Sequence, residues 1–156
     1  MKKIFLSRPN WIPANCQAGL ENFYNLLSSN ELDPRTIGQS DYPNESPLDE
    51  VIKLMEKCHG TIVLGIPQIE IFDGMIKEHK ISKNEILGTE WNHIEGAIAH
   101  SLKQPMLIIH DKNVTRGIFD RGSSNTYLHG VDMTDQSWAI HRSISGAVSN
   151  WKSKLK

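Results

Sequence analysis

Apolar positions along the chain fall into blocks of two kinds. Three blocks are apolar on successive residues, as in strands covered on both faces: "KKIFLS" (2–7), "TIVLGI" (61–66) and "PMLIIH" (105–110). The first runs into the Pro- and Asn-rich "RPNWIPAN", and the second is bounded by Gly60 and Pro67. Other blocks recur at helical spacing. Leu20, Phe23, Tyr24 and Leu27 stand at i, i+3, i+4 and i+7. Leu48, Val51, Leu54, Met55 and Cys58 form a second stripe, with Ser46 placed to cap, Pro47 at the first helical position, Asp49 and Glu50 at the positive end of the dipole, and Gly60 as the stop. Ile144, Val148, Trp151 and Leu155 make the stripe of a last helix starting near Gln136. A further helix is read over "TEWNHIEGAIAHSL", with Trp91, Ile98 and Leu102 as its buried stripe and Asn92 and His93 facing water.

Between these blocks, "DPRTIGQSDYPNESP" (33–47) reads as loop with at most a short strand near Arg35–Gly38, and "YLHGVDM" as an edge-like strand. Residues 68–87 are mixed and admit a short helix. "DKNVTRGIFDRGSSNT" reads as loop, and its "RGSSNTY" end lacks the spacing of a P-loop. The alternation of strands and helices predicts an α/β fold: an open, mainly parallel sheet of about five strands with helices on both faces, flavodoxin-like. There is no repeat, low-complexity tract or linker, so residues 1–156 are expected to form a single domain. Ligands of such sheets sit at the carboxyl ends of the strands, near the reversal of strand order. That rim holds Ser7, Arg8, Pro9 and Asn10, then Gly65, Pro67 and Gln68, then His110 and Asp111.

Charge and composition narrow the chemistry. With 17 Lys and Arg against 18 Asp and Glu, the net charge is −1, and no basic run points to nucleic acid. No apolar run reaches the ~18 residues of a membrane span, and the start does not read as a signal peptide. Cys16 and Cys58 lie far apart and read as reduced thiols of a cytoplasmic protein. The histidines show no metal-ligand spacing, so no metal is expected. Arg8 has a fork of donors suited to a pyrophosphate. His110 ends a strand at the rim, whereas His93 points away from Glu95.

Glu95 is the unusual residue: a carboxylate within an apolar stripe, one turn after Trp91 and close to the ligand end of the sheet. Small neighbours, Gly96, Ala97 and Ala99, leave room for close approach. A fixed anion there suits a cationic transition state, such as the oxocarbenium-like ribose formed when a sugar–base bond breaks.

The segment "TEWNHIEGAIAHSLKQPMLII" resembles Toll/interleukin receptor (TIR) domains of the enzymatic, prokaryotic kind. In those, Ser-x-Trp-Cys-x-x-Glu precedes an Ala-containing helix and a strand. Thr89, Trp91 and Glu95 match, and Asn92 stands where Cys is usual. "KKIFLS" and "LMEKCHGTIVLGI" resemble earlier segments of the same family, so the resemblance spans roughly residues 2–110. It implies cleavage of the nicotinamide–ribose bond of NAD as substrate rather than cofactor, with Glu95 catalytic. It also implies a role in antiviral defence, self-association, and a separate sensor or effector partner. Nucleoside 2-deoxyribosyltransferases are a neighbouring resemblance: "KIFLSRP", Gly88-Thr89 and "EGAIAHSLKQP" echo their motifs, with Glu95 ten residues before Pro105. There Thr89 is six residues before Glu95 where that pattern has three. Both resemblances imply an N-glycosidic bond as target. A third reading is a non-catalytic adaptor. The candidate substrate-binding residues are Ser7, Arg8, Pro9, Asn10, Gly65, Pro67, Trp91 and His110, around Glu95.

Overall fold

The two-sided apolar blocks become the middle of one parallel sheet. The computed structural model describes residues 1–156. In chain order its strands are β1 (Lys2–Ser7), β2 (Leu32–Arg35), β3 (Thr61–Gly65), β4 (Ile69–Ile71), β5 (Met75–Ile76), β6 (His79–Lys80), β7 (Glu85–Leu87), β8 (Met106–Asp111) and β9 (Leu128–Val131). The helices are α1 (Gln17–Ser29), α2 (Pro47–Glu56), α3 (Glu90–Ser101) and α4 (Arg142–Lys152). Five strands pair in the order β2-β1-β3-β8-β9, every pair parallel. This is the flavodoxin-like arrangement expected from the alternation, with the order reversing between β1 and β3. No helix is long and apolar enough to cross a membrane.

The period of two along a strand sorts the core into two sides. Ile4, Leu6, Ile62, Leu64, Leu107 and Ile109 face α1 and α4, where Phe23, Leu27, Ile144, Val148 and Trp151 meet them. Phe5 faces the other way, against Val51, Leu54 and Met55 of α2 and Ala99 of α3. Ser7, two residues after Phe5, therefore points to the α3 side. Trp138, in a single 3₁₀ turn before α4, lies over α1 and stacks on Phe23 with ring centroids 5.2 Å apart.

Several elements differ from the sequence reading. The second strand lies at Leu32–Arg35 instead of Arg35–Gly38 and carries Pro34 opposite Ile4. Pro34 is tolerated because β2 is an edge strand. Residues 68–87 form no helix. β4 pairs antiparallel with β7, and β5 with β6, through a turn in which Lys77 and Glu78 both have positive φ. Such turns usually announce themselves with Asn-Gly or Gly-Gly, which this chain lacks. The last helix starts at Arg142 rather than Gln136, because the 3₁₀ turn takes the preceding residues. Leu48 is exposed, and Ser46 makes no side-chain cap bond.

The largest correction concerns α3. Its buried residues are Asn92, Glu95, Gly96 and Ala99, while Trp91 is 39% exposed. At 100° per residue this face lies about a quarter turn from the expected stripe. Ile98 and Leu102 are only half-buried, at the margin of the cluster that Phe5 forms with α2 and Ala99. The reason is bulk. Small Gly96 and Ala99 let the helix lie close to the sheet and to Ile118, where a Cβ on Gly96 would collide with the Ile118 side chain.

Candidate active site

Each wall of the cleft at Glu95 comes from a segment just beyond a strand or at a helix start. β1 ends at Ser7 and delivers Arg8, Pro9 and Asn10. The turn after β2 brings Thr36, Ile37 and Gly38, held to β1 by the Thr36 hydroxyl donating to the Leu6 carbonyl at 2.8 Å. Pro43 and the start of α2, Pro47 and Val51, close one side; Gln68 after β3 closes another. Thr89, Trp91 and Glu95 come from the start of α3. Thr89 caps that helix, its Oγ1 accepting from the Trp91 backbone N–H at 3.3 Å. The cavity is about 410 Å³ and sits where the strand order reverses.

Glu95 is 7% exposed. Burial raises its carboxyl to about 7, and the Ser7 hydroxyl draws it back part of the way. Ser7 Oγ accepts from Asn92 Nδ2 at 2.8 Å, which leaves the hydroxyl proton free to be donated. Arg8 is the other charged side chain lining the cleft. Its Nη1 donates to the Pro9 carbonyl at 3.0 Å, its guanidinium carbon lies 5.9 Å from the Tyr24 ring centroid, and its Nε is buried without a partner.

The structure brings Arg8, Pro9, Asn10 and Trp91 together with Glu95 around one cavity, with Ser7 buried beside them. It separates the other candidates. His110 lines a different cleft of about 430 Å³ with Lys112 and Arg121. Gly65 lies beneath packed side chains: a Cβ there would meet His110 Cβ and Phe119 Cε1 at 2.7 Å. Its glycine is required by packing. Pro67 stands aside, and its neighbour Gln68 reaches the cleft, Nε2 donating to the Pro67 carbonyl at 2.8 Å. Asn92 does not face water, and His93 does so only in part. His93 is half-buried against Phe119 with ring centroids 5.7 Å apart, and its Nδ1 accepts from the Ile118 N–H at 3.2 Å; burial lowers its pKa. Asn92 is fully buried.

Thr36, Ile37, Gly38, Pro43, Pro47 and Val51 were missed as cleft residues. With the second strand expected three residues late, the turn after it read as strand, and Val51 read as plain core. No set of three or more His, Cys, Asp or Glu side chains clusters as metal ligands. Cys16 and Cys58 are free and buried, and burial pushes the Cys58 thiol up to about 11.

Among solved structures the fold is similar to the CMP N-glycosidase BcmB of Clostridium botulinum, with a TM-score of 0.55 at 10% identity over 90% of this chain and 96% of that one. It is also similar to the apo form of the NADH:FMN oxidoreductase EMOB, with a TM-score of 0.53 at 12% identity over 100% of this chain and 91% of that one. At such identities the likeness establishes the flavodoxin-like fold. No family model and no curated protein matches the sequence.

Proposed function

We propose that this protein cleaves the N-glycosidic bond of a small nucleoside or nucleotide, with Glu95 acting at the anomeric carbon. One observation carries the reading: a buried carboxyl opening into a cavity at the reversal of strand order, with a single cation, Arg8, on the same wall system. The similarity in fold to a CMP N-glycosidase supports it. In the proposed reaction the C1′–N bond breaks and its electron pair leaves with the base, which takes a proton from solvent. The Glu95 carboxylate meets the developing cation at C1′ and closes on it as a glycosyl ester. Water then attacks that ester, restores the carboxylate and releases the free sugar. The anion helps most where positive charge develops, so it lowers the barrier more than it tightens substrate binding. Arg8, with its free donors, is suited to a phosphate of the substrate, and Trp91 to the face of a base or nicotinamide. The finer reading, an NAD glycohydrolase of antiviral defence that works as a homo-oligomer, rests on the spacing of Thr89, Trp91 and Glu95.

The test is base release, followed by chromatography, from a panel of nucleosides, nucleoside monophosphates and NAD. It is run at high protein concentration so that self-association does not limit the result. Wild type should release base or nicotinamide, and Glu95→Gln should be slower by about 10²–10³. Full rate in Glu95→Gln, or silence of the wild type across the panel, would overturn the reading. The substrate that turns over separates NAD from nucleotides.

A further inference from the structure

On the reading of Glu95 as the catalytic carboxylate, we infer that Asn92 and Ser7 are a positioning pair: Asn92 fixes the Ser7 hydroxyl, and that hydroxyl fixes the orientation and charge of Glu95. Asn92 lies one helical turn before Glu95, on the same buried face of α3, and has no exposed surface. A merely structural residue at this place would be apolar, as Ala99 is further along the face. Asn92 instead brings an amide into the interior. Its Oδ1 is buried there without a partner, while Nδ2 donates to Ser7 Oγ at 2.8 Å. An orphaned buried oxygen opposes folding, so the amide is retained against stability.

Ser7 is equally buried and sits at the last position of β1, on the side that faces α3. A hydroxyl accepts through its oxygen and donates through its one proton. With Asn92 donating to the oxygen, the one hydroxyl proton is free to be given elsewhere, and a proton given to the Glu95 carboxyl favours its charged form. The remaining surroundings of Glu95 offer little competition. From the β1 end the charged group is Arg8; the turn after β2 presents Thr36, Ile37 and Gly38; α2 presents Pro47 and Val51; the β3 end presents Gln68; and α3 itself adds Thr89 and Trp91. Ser7 is thus the group that opposes the burial of the carboxyl, and Asn92 sets where Ser7 points.

The experiment compares wild type, Ser7→Ala, Ser7→Thr and Asn92→Leu in two measurements. One is the pH profile of kcat and KM for base release. The other is a ¹³C NMR titration of the Glu side-chain carboxyls, with Glu95 assigned by its loss in Glu95→Gln. Ser7→Ala and Asn92→Leu should both move the acid limb and the Glu95 titration up by about one pH unit. They should lower kcat near neutral pH about tenfold, leave KM unchanged and recover rate in alkali. Ser7→Thr, which keeps the hydroxyl, should behave as wild type. If Ser7→Ala and Asn92→Leu are folded and leave the Glu95 titration in place, the pair is packing only and the inference fails. The NMR titration reads the pair without turnover. An inactive wild type whose Glu95 titration still moves in both variants therefore defeats the catalytic reading while upholding the pair's hold on Glu95.

Discussion

Glu95 carries opposite demands for stability and for chemistry. Its carboxyl is raised from 4.5 to about 7 by burial, so the folded state holds a proton that the unfolded chain gives up earlier. Stability from this group is therefore complete below pH ~4.5, falls as pH rises toward about 7, and stays reduced above that. The span corresponds to roughly 3 kcal/mol. Glu95→Gln removes the ionisation and should stabilise the fold at pH 8 by about 1–3 kcal/mol, with little difference from wild type at pH 4.5. Urea unfolding midpoints at both pH values check this. A Gln variant that tracks wild type at both would mean that the carboxyl is not buried. Spacing from Trp91 was enough to single out Glu95 in the sequence. Asn92 was hidden, because an amphipathic reading sends every Asn outward.

At the scale of elements, the strands of the sheet centre were legible because their apolar runs cannot be satisfied on one face alone. The face of α3 was not. Side-chain size, and not hydrophobicity, decided which side lies on the sheet, and Gly96 and Ala99 outweighed Trp91 and Ile98. The β4–β7 excursion was opaque because Lys77 and Glu78 occupy left-handed turn positions that sequence normally marks with Gly or Asn. Gly65 gives the element-level prediction. Gly65→Ala should lower unfolding stability by about 1–3 kcal/mol, because its Cβ has to displace His110 and Phe119. The KM of the folded fraction should not change, since Gly65 does not line the Glu95 cleft. Denaturant titration with steady-state kinetics separates the two. A changed KM with unchanged stability would return Gly65 to the site.

At the scale of the molecule, the cleft is a product of topology. Arg8, Thr36, Val51, Gln68 and Glu95 are spread over much of the chain, and only the strand order brings them to one rim. The rim itself was readable, because any doubly wound sheet places its ligand at the carboxyl ends. Its exact membership was not, because a shift of three residues in β2 changes which turn reaches the cavity.

The proline of β2 has a consequence for how this protein behaves in a crowded solution. The outer edge of a sheet is an open template on which further strands can assemble into fibrils. On this edge Pro34 has no N–H to offer an incoming chain, and the strand is four residues long. The far edge is β9, also four residues. Copies of the protein therefore have little backbone to polymerise through, and any assembly is steered to side-chain surfaces. Pro34→Val restores the donor and adds a β-branched residue. It should leave the monomer folded, yet raise light scattering and thioflavin binding on prolonged incubation near the unfolding temperature. Equal aggregation rates in the two proteins would show that the edge needs no such guard.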